Sequence, residues 1–227
     1  AADLRTRGFE LSVNWRDRFT LWDAPFEYNI GVNLADNRTV ITRFDNPSGN
    51  IDDFYVGKEL GEVWGYTIEG FFQTDDEYLT HADQLLVNQR IRNYYLVNHP
   101  VAGDLKFKDI DEDGSITPGK QTLSDHGDLR RIGNTTPRYS LGVNLGFNYR
   151  GIDFSAFFQG VLKQDWWPGD DNGYFWGPFT RQYLNFYPKS IESMSWTPDN
   201  PDAYFPRLAV YAANEGGDYE GSQLRVV

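Results

Sequence analysis

Four segments of this chain alternate apolar and polar residues one for one. In Gly8–Phe19, the residues Phe9, Leu11, Val13 and Trp15 oppose Glu10, Ser12, Asn14 and Arg16. In Phe26–Ala35, Phe26, Tyr28, Ile30, Val32 and Leu34 oppose Glu27, Asn29, Gly31, Asn33 and Ala35. Tyr139–Arg150 sets Tyr139, Leu141, Val143, Leu145, Phe147 and Tyr149 against Ser140, Gly142, Asn144, Gly146, Asn148 and Arg150. Ile152–Leu162 sets Ile152, Phe154, Ala156, Phe158 and Gly160 against Asp153, Ser155 and Gln159, and only Phe157 and Val161 break its polar side. Side chains alternate across a strand with period two, whereas a helix needs apolar positions three and four apart, so each segment predicts a half-buried β-strand. Thr20–Pro25 predicts a short turn, and Gly151 between two alternating runs predicts a tight hairpin. Gly31-Val-Asn-Leu34 and Gly142-Val-Asn-Leu145 occur in the same phase, a repeat of a strand unit rather than of a domain.

Between the second and third strands lies a long excursion, Asn37–Arg138. Asp45-Asn-Pro-Ser-Gly-Asn50 reads as a loop, and Gly61–Phe72 as one or two short extended pieces. Thr74–Val97 has helical composition: Thr74 and Glu77 have capping-box spacing, and Leu79, Ala82, Leu85, Leu86 and Gln89 have helical spacing. One short helix is expected there. A second excursion, Lys163–Ala203, is dense in Trp, Tyr, Phe, Pro and Gly. Tyr204–Ala212 is expected to return as a strand, limited by Pro206 to an edge or a start.

Short turns thus alternate with long connections, as in outer-membrane barrels. A soluble β-sandwich produces the same alternation with the opposite solvent logic. Two features favour the barrel. The polar faces are mostly Gly, Asn and Ser rather than Lys and Glu, and aromatics cluster near strand ends at Trp15, Phe19, Phe26, Tyr28, Tyr139 and Tyr149, as in interfacial girdles. The expected fold is all-β: a segment of an antiparallel transmembrane β-barrel, with long extracellular loops at 37–138 and 163–203 and one short helix in a loop.

Composition narrows the function. A net charge of −12 argues against nucleic acid, which needs a basic surface, and against docking on anionic lipid by charge alone. With no cysteine there is no disulfide framework, thiol nucleophile or Cys-based zinc site. No run of eighteen apolar residues predicts a transmembrane helix, but a barrel strand needs only about 9–11 alternating residues. The first residue is Ala1 and the last run, Leu224-Arg-Val-Val227, is strand-like without a closing feature, so the chain reads as a piece of a longer polypeptide.

Three stretches carry a likeness to a known family. They are Gly103-Asp-Leu-Lys-Phe-Lys-Asp-Ile-Asp-Glu-Asp-Gly114, Arg131-Ile-Gly-Asn-Thr-Thr-Pro-Arg-Tyr-Ser-Leu-Gly-Val-Asn-Leu-Gly146 and Gly151-Ile-Asp-Phe-Ser-Ala-Phe-Phe-Gln-Gly160. With Gly8-Phe-Glu-Leu-Ser12, Gly65-Tyr-Thr-Ile-Glu-Gly-Phe-Phe-Gln73 and Asn172-Gly-Tyr-Phe-Trp-Gly-Pro178, they resemble the SusC/RagA family, TonB-dependent outer-membrane transporters of Bacteroidetes, over nearly the whole chain and in the expected order. The resemblance corresponds to part of the C-terminal half of the barrel, without the plug, the TonB-interaction segment or the last strands. It implies energised uptake of oligosaccharides, or of peptides in RagA-like members, across the outer membrane. It also implies two partners, a SusD-like surface lipoprotein that lids the barrel and the TonB complex. Such barrels have about 22 strands and a plugged lumen, of which five or six could lie here.

Two constellations could bind something. Asp109, Asp111, Asp113, Gly114, Ser115 and Thr117 occupy positions 1, 3, 5, 6, 7 and 9 of an EF-hand-like loop. Hard calcium takes several oxygen ligands, and Gly allows the sharp turn. The twelfth position, where a bidentate carboxylate belongs, is Lys120; Asp125 or Asp128 could close the site instead, and Asp104 could reach it. The plainer reading is an Asp/Gly turn whose carboxylates cap backbone amides. In the second excursion, Trp166, Trp167, Tyr174 and Trp176 beside Asp171 and Asn172 suit a sugar, because flat rings stack on C–H faces while acids and amides bond hydroxyls. Packing of the loop on itself, or on a partner protein, is the plainer alternative. No catalytic setting stands out: the carboxylates form no recognisable glycosidase or protease pair, and His81, His99 and His126, far apart, read as solvated surface residues. The alternatives to a transporter are a soluble calcium-containing carbohydrate-binding β-sandwich and a calcium-dependent adhesin module.

Overall fold

A computed structural model of the chain describes residues 1–84, 100–166 and 186–208. The fold is all-β. β1 (Asp3–Leu21) and β2 (Ala24–Arg43) form a long antiparallel hairpin. β3 (Glu62–Gly65), β4 (Ile68–Phe71), β5 (Leu105–Phe107) and β6 (Arg130–Asn134) are short strands of the first excursion. β7 (Arg138–Tyr149) and β8 (Ile152–Lys163) form the second hairpin. The main sheet has the order β1-β2-β7-β8, entirely antiparallel, and it does not close on itself among the described residues. Each hairpin turns on two residues at positive φ, Trp22 (45°) with Asp23 (65°) and Arg150 (49°) with Gly151 (81°). Turns of this hand match the twist of the flanking strands. The two turns lie together: Tyr149 Oη donates to the Leu21 carbonyl at 2.9 Å and Arg150 Nη2 to the Trp22 carbonyl at 2.5 Å.

All four predicted strands are present, and β2 runs further than its alternation indicated. Past Ala35 the strict pattern stops, yet Thr39, Val40 and Ile41 keep the chain extended because a new neighbour pairs with it. Below Ala35, β2 pairs with β7 over ten rows, Phe26↔Tyr149 to Ala35↔Ser140. Above, it pairs with Gly57–Leu60: Ile41 N–H donates to the Lys58 carbonyl, Gly57 N–H to the Ile41 carbonyl, and Leu60 N–H to the Thr39 carbonyl. The start of the first excursion is thus part of the β1–β2 ribbon.

Ten rows are about 33 Å of strand, or about 23 Å of height at a tilt of about 45°, close to the apolar band of about 25 Å on membrane barrels. Across this block one face carries the rows Trp15, Ile30, Leu145 and Ala156, then Val13, Val32, Val143 and Phe158, then Leu11, Leu34, Leu141 and Gly160. Aromatics gather toward the turns, where Phe26 stacks on Phe147 at 5.4 Å and Phe147 on Phe154 at 5.0 Å. Asp17, opposite Tyr28 near the turns, is the one charged residue of that face within the block.

The opposite face is polar and shallow. The two Gly-Val-Asn-Leu repeats are direct cross-strand partners: Gly31 faces Asn144, Val32 faces Val143, and Asn33 faces Gly142. Amides lie over the bare glycines, so that a Cβ on Gly31 would come within 2.8 Å of Asn14 Oδ1. Phe157, which breaks the polar pattern, leans over Gly142, its Cε2 3.7 Å from where a Cβ would stand. A ring laid over a strand glycine covers backbone that the glycine leaves bare.

Burial is concentrated elsewhere. Ile51, Tyr66, Leu105, Phe107, Ile116 and Leu129 form one core, with Trp64, Ile68, Phe71, Ala82, Phe205 and Leu208 packed against it. β3 pairs with β6 and β4 with β5 around it. The extended reading of Gly61–Phe72 agrees with β3 and β4. The expected helix differs: in its described part there is a single 3-10 turn, Glu77–Thr80, without a side-chain cap. Glu77 is drawn away by Lys106, 2.7 Å from its carboxylate, and accepts the Gln73 amide instead. The rest of that segment, 85–99, lies outside the described residues. In the second excursion, α1 (Ser190–Met194) is a short helix, and 204–208 forms no strand, only the bridge Ser195↔Phe205; residues 209–212 are outside the described part. Gly103, at φ 85°, admits the ring of Trp196 against its backbone, and Arg207 Nε donates to Asp104 Oδ1 at 2.6 Å. The two excursions therefore pack as one module.

Candidate functional site

The acidic loop 109–117 sits at the edge of this module, held by Asp83, whose N–H donates to the Gly114 carbonyl at 2.9 Å and whose carbonyl accepts the Ile116 N–H at 2.7 Å. Ile116 plugs the loop into the core with none of its surface exposed. Asp109 folds the loop by accepting the Glu112 and Gly114 amides, both at 2.8 Å. Asp113 accepts the Ser115 amide at 2.8 Å, and Thr117 Oγ1 accepts the Gly119 amide at 3.3 Å.

Three carboxylates converge. One oxygen each of Asp109, Asp111 and Asp128 lie within 4.8 Å of one another. Asp128 is fully buried and accepts the Ile110 amide at 2.7 Å and the Thr117 amide at 2.8 Å. It has no cationic partner among the described residues. The loop's own desolvation, then the charges of Asp128, Asp113 and Asp109, push Asp111 above the ordinary carboxylate value. Of the predicted ligands, Asp109 and Asp111 are in this group. Asp113, Ser115 and Thr117 are in the same loop but outside the three-carboxylate group.

The three ways of closing the loop resolve differently. Asp104 is taken by Arg207, and Asp125 lies 3.4 Å from Lys120 Nζ. Asp128 reaches the group from the far side of the loop. A buried carboxylate without a cation beside two others is costly unless positive charge joins it, and an all-oxygen set of this kind fits a hard cation.

Two histidines correct the sequence reading. His81 is partly buried, its Nε2 enclosed without a hydrogen-bond partner among the described residues, and its ring meets Phe72 edge-on at 5.3 Å. Burial, then the neighbouring Lys106, holds it below the ordinary histidine value. His126 is also partly buried, its Nδ1 3.0 Å from Arg130 Nη1 and its ring 5.4 Å from Trp64. His99 is outside the described residues. So are Trp167, Asp171, Asn172, Tyr174 and Trp176 of the predicted aromatic site. Its one described member, Trp166, is exposed and follows Asp165, whose carboxylate accepts the Asn134 amide at 2.6 Å.

One arrangement had no signal in the sequence. Lys58, almost fully buried, donates through Nζ to the carbonyls of Ile51 (2.7 Å), Asp53 (2.9 Å) and Asp52 (3.3 Å) and lies over the Tyr55 ring. An ammonium fills a carbonyl cage of the kind that often holds a cation.

No family model matches the chain. TonB-dependent receptor P3 of Formosa agariphila is 22% identical over 243 residues, covering 99% of this chain and 21% of that protein. TonB-dependent receptor P39 of the same organism is 24% identical over 239 residues, covering 97% of this chain and 22% of that protein. The chain is similar to TonB-dependent receptors. It spans about a fifth of the length of the curated relatives it matches. The TonB-dependent receptor likeness takes in the two-faced sheet and the loop module alike, because the alignments run through both.

Proposed function

We propose that this chain supplies part of the wall and the outer loops of a TonB-dependent transporter of the SusC/RagA type, resident in the outer membrane. In this reading the apolar face of the ten-row block meets lipid and the Gly, Asn and Ser face lines the lumen. The short turns are periplasmic and the packed module is extracellular. The cargo is an oligosaccharide, a SusD-like lipoprotein covers the module, and the TonB complex provides energy through parts of the polypeptide outside this chain. The role is transport rather than catalysis. One observation carries the reading: a sheet of membrane height exposes Leu11, Val13, Trp15 and Phe158 at 52–58% on the face opposite its Asn and Gly ladder. A soluble sandwich would cover that face with a second sheet. An antibody to residues 165–188, used on intact cells and on separated membrane and soluble fractions, tests it. Surface labelling and an outer-membrane band several times larger than 26.2 kDa are expected. A soluble band of that mass would overturn the proposal in favour of a β-sandwich.

A second reading concerns the metal. The convergence of Asp109, Asp111 and Asp128 favours calcium as a structural ion, held by carboxylate oxygens and neutralising the buried Asp128. Melting the protein in calcium and in chelator tests it. Asp111→Ala is expected to lower the melting temperature in calcium and not in chelator; equal effects in both would remove calcium from the site.

A further inference from the structure

Where β2, β7 and β8 reach the module, a cleft of about 470 Å³ is lined by Arg38, Arg131, Arg138, Lys163, Glu59 and Asp165, together with residues 132–134. Four cationic side chains against two carboxylates is an unusual surplus in a chain of net charge −12.

The charges are not equally committed. Arg138 forks onto Asp36, with both contacts at 2.5 Å. Arg38 pairs with Glu59. Asp165 is held by β6, accepting the Asn134 amide at 2.6 Å while its own N–H donates to the Asn134 carbonyl at 3.0 Å. Arg131 has only a long approach to Glu62, 3.9 Å, and Glu62 already accepts the Tyr55 hydroxyl, the Trp64 indole N–H and the Glu59 amide. Lys163 has no ion-pair partner among the described residues. Arg131 and Lys163 are therefore available cations facing one cleft.

We propose that this cleft binds the acidic group of a charged saccharide, a uronate carboxylate or a sulfate ester, so that the transported ligand is an anionic glycan. This rests on the uptake reading and narrows its substrate class. A planar Arg fork suits a carboxylate or sulfate. The carboxylates of Glu59 and Asp165 bear on the choice of ligand as well. They accept hydroxyl hydrogens, which a sugar provides, and they repel a densely charged phosphoryl group, which argues against a lipid headgroup. Trp166, which follows Asp165 directly in the chain, is exposed.

The test uses the outer-membrane polypeptide that contains this chain, purified in detergent. Calorimetric titrations compare an oligogalacturonate, a neutral gluco-oligosaccharide of equal length, and lipid A micelles. The acidic oligomer is expected to bind on the order of tenfold more tightly than the neutral one, the scale of a lost charge-assisted contact, and salt is expected to erode the difference. Arg131→Gln with Lys163→Gln is expected to abolish the preference, and Lys163→Arg to retain it. Both side chains are on the surface, so unchanged heat-modifiable mobility on a gel confirms that the variants fold. Equal binding of acidic and neutral oligomers overturns the inference and leaves uptake standing. Binding of neither overturns both. A preference for lipid A that the same substitutions abolish overturns it in favour of a headgroup.

Discussion

Phe107 and Phe158 both sit in antiparallel strands of this chain, the first with none of its surface exposed and the second with 58%. Phe107 lies between Tyr66 and the other members of a core that two excursions build together. Phe158 lies in a row with Val143, Val32 and Val13, and among the described residues nothing covers that row. In the module, apolar residues are hidden by other parts of the chain. On the sheet they are ordered just as regularly and left outward. The lesson is that alternation reports that a strand has two environments, and only the amount of covering protein says what the apolar one is.

That contrast can be broken at either end. The largest effect is expected from Phe107→Ala, which should cost the module about 3–5 kcal/mol. Hydrogen exchange should quicken in residues 45–84 and 100–135 while the amides of β7 and β8 keep their protection; equal loss in both would mean that the regions fold as one. Next, Val143→Arg, near mid-height of the sheet, should cost about 2–4 kcal/mol in unfolding from lipid vesicles, and Asn144→Arg on the other face should cost little. Matching costs would refute the assignment of faces. Lys58→Met removes the donor from three carbonyls and should cost about 1–3 kcal/mol, again confined to the module and read by the same exchange experiment.

The smallest effects are in pH. Asp111 is raised in the folded chain, so without metal its contribution to stability is complete below the ordinary value of 3.8 and is lost as pH rises through the raised value. His81 is depressed, so its contribution is complete above the ordinary value of 6.5 and is lost as pH falls below it. Thermal melts of Asp111→Asn and His81→Gln should each flatten their own limb of the profile and leave the other unchanged.

The sheet was legible because strand periodicity is a local property. Every strand and both hairpins could be read from neighbours in sequence, and the aromatics near the turns could be placed. The upper part of β2 was not, because its pairing with Gly57–Leu60 is made by residues about twenty positions away without a period of their own. The module's core was illegible for the same reason: Ile51, Leu105, Ile116 and Leu129 come from separate parts of the first excursion. In the acidic loop, Asp109 and Asp111 could be found by spacing. Lys120 at the twelfth position drew attention to a gap, but only the folded loop distinguishes Asp128 from Asp125 and Asp104, since Lys120 and Arg207 take the other two. The cleft with Arg131 and Lys163 joins two strand ends that lie 32 residues apart, counted from their numbers, and no spacing rule reaches that far.

The paired Gly-Val-Asn-Leu repeats have a consequence for assembly. In the native register Asn29, Gly31 and Asn33 face Gly146, Asn144 and Gly142, so every amide meets a glycine. Slide β7 by two residues one way and Gly31 meets Gly146 while Asn33 meets Asn144; slide it the other way and Gly31 meets Gly142 while Asn29 meets Asn144. A two-residue slip keeps every side chain on its correct face, so hydrophobicity cannot correct it. The alternation of bulk and absence can: gaps would face gaps and amides would collide. The motif works as a vernier, letting a wall built of similar strands detect the one misalignment that its greasy surface would forgive.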